Sequence, residues 1–153
     1  MTHADRTAVA DLVVSAGNFS QAEIECAMEL ADVYLDDPGQ SDYHLVVAQD
    51  RGGRVWAYAC WGPVPITKGA YDLYWVATHP EARGRGFGRA LMDYVERRAA
   101  ERNGRLLVVE TSSKASYEGT VAFYRRLGYA EVSRIADFYD VGDDRIIFVK
   151  RLS

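Results

Sequence analysis

Residues 71–103 constrain the fold more than any other part of the chain. Residues 71–78 form an apolar run typical of a buried strand, and the glycine-rich segment 83–89 follows a few residues later. From Gly86 onward, apolar residues recur every three or four positions as far as Asn103-Gly104, which predicts an amphipathic helix that ends at this pair. A strand, a glycine-rich loop and a helix in this order indicate an α/β domain.

The glycine-rich segment has the properties of an anion-binding loop. At the start of a helix the backbone N–H groups have no intrahelical partner and the helix dipole is positive, and glycines let an anion approach the main chain. A turn with solvated arginines is the alternative, but the position between strand and helix favours phosphate binding. The candidate contacts are Arg83, Gly84, Arg85, Gly86, Phe87, Gly88 and Arg89.

Two known phosphate-binding motifs do not fit this segment. A P-loop requires Lys and then Ser or Thr after its last glycine, whereas Arg89-Ala90 follows Gly88. A dinucleotide fingerprint that begins at Gly84 or Gly86 meets Arg89 or Leu91 where its third glycine belongs. The sequence therefore does not support nucleotide hydrolysis, and it gives only weak support to a dinucleotide-dependent oxidoreductase.

The rest of the chain predicts one mixed α/β domain over residues 1–153. Ser20 and Glu23 form a capping-box pattern that starts a helix over residues 21–35, and a shorter helix precedes it. Gly52-Gly53 predicts a tight hairpin turn. The remaining predicted elements are strands at 43–50, 54–61 and 106–111, a helix at 119–127, and a final pair of strands at 129–135 and 145–152.

Composition excludes several classes of protein. The 153 residues are 48% apolar and 26% charged, as in folded globular domains, and no apolar stretch approaches the roughly 20 residues of a membrane helix. Residues 1–11 lack the apolar core of a signal peptide, so we expect a cytoplasmic protein. The net charge of −4 argues against nucleic-acid binding. Cys26 and Cys60 are predicted to be small buried residues, and no spacing of Cys or His indicates a metal site.

Two separate segments resemble the GNAT superfamily of N-acetyltransferases. Arg83, Gly86 and Gly88 match the signature (Gln/Arg)-x-x-Gly-x-(Gly/Ala). Residues 74–80 resemble the family's fourth strand, and residues 122–129 resemble its FYxxxGF segment. The resemblance extends over about residues 43–152, and the element order predicted above agrees with it.

This resemblance implies acetyl-CoA as cosubstrate and a primary amine as acceptor. The family's sheet splays between two central strands, and the pantetheine arm pairs with the edge that the splay exposes, here Val76, Ala77 and Thr78. The amine then attacks the thioester directly. Tyr124 matches the family's general acid, and Asp72 or Glu110 could act as general base.

The chain departs from the family pattern at three places. Residues 1–6 are barely long enough for the strand that usually opens the fold. Tyr117 stands where the family commonly has asparagine, and Thr120 stands at a position that is usually alanine. The cosubstrate contacts of these two positions are therefore expected to differ, and homodimer formation stays open.

Residues 137–144 suggest how an acceptor could be attracted. Four aspartates and two aromatic residues lie here, between the last two predicted strands. With Asp72, Trp61, Tyr71 and Tyr74 they could form an acidic, aromatic mouth for a cationic amine, although turns favour aspartate for local reasons too. A GNAT-fold module that binds acyl-CoA without transferring the acyl group is the main alternative function.

Overall fold

The first third of the chain is helical. The computed structural model describes Met1 to Ser153, beginning with a 3-10 turn at His3–Asp5 and the helices α1 (Arg6–Ala16) and α2 (Gln21–Asp36). The predicted capping box is present: Ser20 Oγ accepts from the Glu23 N–H at 3.3 Å, and the Ser20 N–H donates to the Glu23 carboxylate at 2.7 Å. No strand lies ahead of α1 in the described chain.

The remaining elements form a six-stranded sheet with two further helices. The strand order is β1-β2-β3-β4-β6-β5, and every pair is antiparallel except β3 with β4. The sheet is therefore mixed and mostly antiparallel, as predicted. The bounds are β1 His44–Gln49, β2 Val55–Pro63, β3 Ala70–Thr78, α3 Phe87–Glu101, β4 Leu106–Ser112, α4 Glu118–Arg126, β5 Ala130–Asp140 and β6 Asp143–Arg151.

The two parallel strands separate halfway along their length. Pairing between β3 and β4 ends at Leu73 and Val109, after which β4 continues beside β6 as far as Ser112 and β3 continues beside β2 as far as Thr78. Tyr74 is an extra residue in β3, because Cys60 pairs with Trp75 and Trp61 pairs with Leu73. A bulge bends a strand and increases its twist, which helps β3 to leave β4. The sheet is thus splayed between its central strands, as expected.

Helices cover both faces of the sheet and give it two apolar cores. β2 shows the division, because Ala57, Ala59 and Trp61 belong to the core beneath α3 and α4, whereas Tyr58 and Cys60 belong to the core beneath α1 and α2. This alternation follows from the period of two in a β-strand. With both faces covered, the middle of the sheet is a rigid support for the gap between β3 and β4.

Two predictions about local structure are corrected. Cys26 is exposed, because it lies beside the buried stripe of α2 that includes Ala27 and Ala31, whereas Cys60 is buried as predicted. The final hairpin is also longer than predicted: its strands reach Asp140 and Asp143, so only Val141-Gly142 separates them. No helix is both long and apolar enough to cross a membrane.

Candidate active site

A first cavity of about 780 Å³ lies between the end of β3, the start of α3 and α4. Ten residues were predicted to hold the cosubstrate, and all of them except Arg85 and Phe87 line this cavity. We call it the donor cavity. The predicted residues that line it are Val76, Ala77, Thr78, Arg83, Gly84, Gly86, Gly88 and Arg89.

The glycine loop presents free N–H groups to the donor cavity. Gly84 (φ 74°) and Gly86 (φ 89°) are left-handed, a conformation that glycine adopts at little cost, and Gly86 is the N-cap of α3. The backbone N–H groups of Gly84 and of residues 86–89 have no hydrogen-bond partner within the chain. A pyrophosphate fits here, because these donors and the positive end of α3 converge on one place.

Space at the third glycine is limited. A Cβ added at Gly88 would lie 3.3 Å from Thr78 Oγ1 and 3.4 Å from the Phe123 ring. Gly88 therefore keeps α3 close to the end of β3 and to α4, so the loop and the strand edge face the same cavity.

The three arginines of the loop are in different surroundings. The Arg83 guanidinium donates to the Ala16 carbonyl at the end of α1 over 2.8 Å, so its side chain is already engaged. The Arg85 guanidinium lies over the Trp56 ring, 5.1 Å from its centroid. Arg89 lines the cavity and forms no ion pair in the chain, which makes it the loop's candidate for a phosphate contact.

Sequence reasoning missed one charged residue of the donor cavity. Arg126 lines it from the last turn of α4. Gly119, Phe123 and Arg126 all line the cavity, and their spacing of four and three residues places them on one face of the helix. This periodicity within the segment that resembles FYxxxGF could have identified Arg126.

The free edge of β3 forms one wall of the donor cavity. Val76, Ala77 and Thr78 pair with β2 on one side and have no strand on the other, because β4 has already separated. Backbone groups that point into the gap can therefore pair with an extended ligand such as pantetheine. Val76 lines both this cavity and the second one described next.

A second cavity of about 860 Å³ begins where the donor cavity ends. The two cavities share Asn18, Val76, Ser116 and Thr120 as lining residues. We call the second one the acceptor cavity. Its carboxylates outnumber its cationic groups, and six aromatic residues line it: Phe19, Tyr74, Trp75, Tyr117, Tyr124 and Tyr139.

Tyr124 lies beside the gap between β3 and β4. Its ring packs against Phe123, Tyr129 and Phe148, and the residue is only 2% exposed. The hydroxyl forms no hydrogen bond with another side chain or with the backbone, and Tyr124 lines the acceptor cavity. Burial raises the pKa of the phenol, so the proton stays in place at neutral pH. A protonated, unpartnered hydroxyl at this position can donate to a leaving group.

Asp72 and Glu110 both line the acceptor cavity but differ in their partners. Glu110 is exposed and paired with the Arg145 guanidinium, whereas Asp72 is half-buried and has neither an ion pair nor a hydrogen bond in the chain. Burial raises the pKa of Asp72, the charge of Glu110 raises it further, and Arg145 opposes both effects. Asp72 is therefore the better-placed proton acceptor.

The last hairpin contributes less to the acceptor cavity than predicted. Only Tyr139 and Asp143 of residues 137–144 line it. Asp143 is buried and bound by Ser112 and by Lys114 at 3.2 Å, while Asp140 accepts from the Val141 N–H at 2.8 Å. The prediction of a mouth with four hairpin aspartates is wrong, because turn contacts and ion pairs occupy these carboxylates.

Two aromatic residues predicted for the same mouth also lie elsewhere. Trp61 and Tyr71 are buried against each other, with ring centroids 5.5 Å apart, in the core beneath α3. Tyr74 and Asp72 do line the acceptor cavity. Three of the four acidic groups at this site therefore come from α2, β3 and β4, and the final hairpin supplies only Asp143.

The fold and the two cavities define a class of protein. It is a mixed α/β domain whose central strands separate beside two adjoining cavities, one lined by a glycine loop with unpaired N–H groups and the other lined by acidic and aromatic residues. A sequence profile described as "Acetyltransferase (GNAT) domain" matches residues 41–131. A protein from Desulfovibrio desulfuricans assigned to the GNAT family of acetyltransferases is 38% identical over 99% of this chain and 94% of its own, with a TM-score of 0.92. The chain belongs to the GNAT acetyltransferase family.

Less similar solved structures share the fold. The ribosomal-protein-S18-alanine N-acetyltransferase of Escherichia coli is 19% identical, with a TM-score of 0.79 over 100% of this chain and 91% of its own. An aminoglycoside 6'-N-acetyltransferase in complex with coenzyme A is 16% identical, with a TM-score of 0.77 over 99% of this chain and 92% of its own. These two enzymes are named for a protein acceptor and an aminoglycoside acceptor, so the shared fold does not select an acceptor.

Proposed function

We propose that this protein transfers the acetyl group of acetyl-CoA to a primary amine by direct attack when both substrates are bound. The observation that carries the proposal is the contiguity of the donor and acceptor cavities at the exposed edge of β3, where Val76 lines both. Two substrates held on either side of that edge would meet without a covalent enzyme intermediate. Positioning of this kind can contribute about 7–11 kcal/mol to catalysis.

Acetyl-CoA supplies an activated thioester, and the chain's own groups bind and orient it. The N–H groups of the glycine loop, with Arg89 and Arg126, are assigned to the phosphates. The free edge of Val76–Thr78 is assigned to the pantetheine arm. The coenzyme A complex of the aminoglycoside enzyme, which has the same fold, is consistent with this cosubstrate.

The side chains at the gap are assigned to proton transfer. Asp72 takes a proton from the acceptor ammonium, directly or through water, so that the amine nitrogen has a free electron pair. The nitrogen attacks the carbonyl carbon, the carbon–sulfur bond breaks, and Tyr124 donates its proton to the departing sulfur. The Tyr124 phenolate then takes the remaining extra proton from the product nitrogen, directly or through water, which leaves a neutral amide and restores the phenol. Each proton thus has a donor and an acceptor on the wall of one cavity.

The charge of the acceptor cavity favours a cationic acceptor. Glu23, Glu110 and Asp143 are held by Ser20, Arg145 and Lys114 respectively, which leaves Asp72 as the carboxylate without a partner. A free carboxylate among aromatic rings attracts an ammonium group through its charge and through the ring faces.

Calorimetry combined with a thiol-release assay tests this proposal. Acetyl-CoA and coenzyme A should bind and NAD should not, and one or more amines from a panel should release thiol only when enzyme and acetyl-CoA are present. Gly86→Glu is the control, because its carboxylate would repel the pyrophosphate while the domain stays folded. Acetyl-CoA binding without amine-dependent release would identify a non-catalytic module, and preferential NAD binding would reject the acetyl-CoA assignment.

A further inference from the structure

The segment between α1 and α2 lines both substrate cavities. Ala16 and Gly17 line the donor cavity, Phe19 and Ser20 line the acceptor cavity, and Asn18 lines both. We call residues 16–20 the bridging segment. Its position therefore affects the size and shape of the place where the two cavities meet.

The backbone of the bridging segment requires an external support. Gly17 has φ 76° and forms the C-cap of α1, so the chain changes direction at a residue with no side chain to restrict it. The backbone N–H groups of Asn18 and Phe19 form no hydrogen bond within the chain. Contacts from other elements must therefore hold this segment in place.

Three contacts supply that support. Arg83 holds the first residue through its hydrogen bond to the Ala16 carbonyl. The Tyr117 hydroxyl donates to the Asn18 carbonyl at 2.9 Å, across 99 residues of sequence. The Phe19 ring packs edge-on against Trp75, with centroids 5.7 Å apart. The Tyr117 bond is the one hydrogen bond that joins residues 18–20 to an element other than α2.

We propose that Tyr117 is a positioning residue that fixes the bridging segment and thereby sets the affinity for the amine acceptor. Its ring lines the acceptor cavity but not the donor cavity, and the donor side of the bridging segment is held separately by Arg83 through Ala16, so acetyl-CoA binding should depend little on Tyr117. Through its hydroxyl, Tyr117 connects the wall of the acceptor cavity directly to the backbone of the bridging segment. This role rests on the proposed acetyl transfer to an amine.

Tyr117→Phe tests the role, because it removes the hydroxyl and keeps the ring. One ordinary hydrogen bond corresponds to about a 3- to 10-fold change in an equilibrium constant. The KM for the best amine of the panel should therefore rise by about that factor, while the KM for acetyl-CoA and kcat change by less than about twofold. Tyr94→Phe on the exposed side of α3 is the matched control and should change none of these values.

A double-mutant cycle separates positioning from direct contact with the acceptor. If Tyr117 acts through the bridging segment, Phe19→Ala should also raise the KM for the amine, and adding Tyr117→Phe should then have little further effect. Multiplicative effects of the two substitutions on this KM would mean that the hydroxyl binds the acceptor itself. A raised KM for acetyl-CoA in Tyr117→Phe would place the role of Tyr117 in the donor cavity. Either result would overturn the proposal.

Amide hydrogen exchange gives a readout that does not require turnover. In the substrate-free protein, Tyr117→Phe should speed exchange of the Ser20 and Ile24 amides, whose hydrogen bonds lie where the bridging segment joins α2, relative to wild type and Tyr94→Phe, while α3 exchanges unchanged. Unchanged exchange in these residues would overturn the positioning role even if the enzyme acetylates amines. Faster exchange in a protein that acetylates no amine would instead support the contact and reject the proposed function.

Discussion

At the scale of single residues, Tyr124 is assigned the proton that the leaving sulfur requires. Tyr124→Phe keeps the ring contacts with Phe123, Tyr129 and Phe148, so the fold and acetyl-CoA binding should be preserved. Loss of general-acid catalysis should lower kcat by about 10²-fold. Steady-state kinetics at saturating substrates measures this effect, and calorimetry with coenzyme A serves as the control. An unchanged kcat would remove Tyr124 from the chemistry.

Asp72 and Glu110 are distinguished by the pH dependence of kcat/KM. A base must be deprotonated, so kcat/KM for one amine should rise with pH through the raised pKa of Asp72. Asp72→Asn should remove this limb of the profile. Glu110→Gln should move it to lower pH, because it removes the charge that raises the pKa of Asp72 and leaves Arg145, which lowers it. A limb lost in Glu110→Gln and kept in Asp72→Asn would assign the base to Glu110.

The free energy of unfolding should also depend on the protonation of Asp72. A carboxyl whose pKa is raised by folding stabilises the fold at low pH, and this contribution is lost as the pH rises through the raised pKa. At neutral pH the half-buried carboxylate of Asp72 therefore opposes folding. The Tm of Asp72→Asn should equal or exceed that of wild type at pH 7, and a clearly lower Tm would show that Asp72 has a stabilising partner.

The sequence predicted the residues of the donor cavity better than it predicted side-chain hydrogen bonds between residues far apart in the chain. The glycines lie in a motif that is local in sequence, so their position between a strand and a helix identified them, and the family resemblance implied the role of Val76–Thr78. The side-chain contact of Arg83 spans 67 residues and that of Tyr117 spans 99. Such contacts depend on how α1 and α2 pack on the sheet, and no local pattern records that packing.

At the scale of elements, the glycine loop joins β3 to α3 in a conformation that L-residues avoid. Gly86→Ala should cost about 1–2 kcal/mol of stability because of its positive φ, although its Cβ would meet no atom within 4 Å. The hairpin residue Gly53 offers a matched control, since it also has a positive φ (83°) and open space around it. Both alanine variants should lose similar stability, but only Gly86→Ala should bind coenzyme A more weakly.

Thermal unfolding and calorimetry measure these two effects. For a protein of this size, 1 kcal/mol corresponds to a fall in Tm of about 2–4 °C. Equal affinities for coenzyme A in the two variants would mean that the loop around Gly86 does not bind the phosphates. Equal Tm values in the two variants, with a weaker affinity for coenzyme A only in Gly86→Ala, would show that the lost affinity comes from the phosphate contact and not from backbone strain.

Helices were predicted more closely than the final hairpin. The start of α2 was fixed by Ser20 and Glu23, because a capping box satisfies two backbone donors at one place. The residues of β5 are exposed along its whole length, so the strand lacks the alternation of buried and exposed residues that marks a half-buried strand. Its extension to Asp140 depends on pairing with β6, which the sequence does not record locally.

At the scale of the whole molecule, the sheet supports two cavities on one rigid base. Two apolar cores hold β2 and β3 in place, and the splay beyond Leu73 and Val109 opens the gap between the cavities. The mixed sheet and its splay followed from the element order and the family resemblance. The acceptor cavity did not, because its walls come from the bridging segment, α2, α4 and four strands, and its charges are balanced by partners distant in sequence.

Transfer of a labelled acetyl group tests the proposed activity most directly. Wild-type protein is incubated with acetyl-CoA labelled in the acetyl group and with the amine panel, and the products are identified by mass spectrometry. The label should appear on the nitrogen of at least one amine, in an amount equal to the thiol released, and Tyr124→Phe should form the same product more slowly. Release of labelled acetate without any labelled amide, or no release although acetyl-CoA binds, would contradict acetyl transfer to an amine.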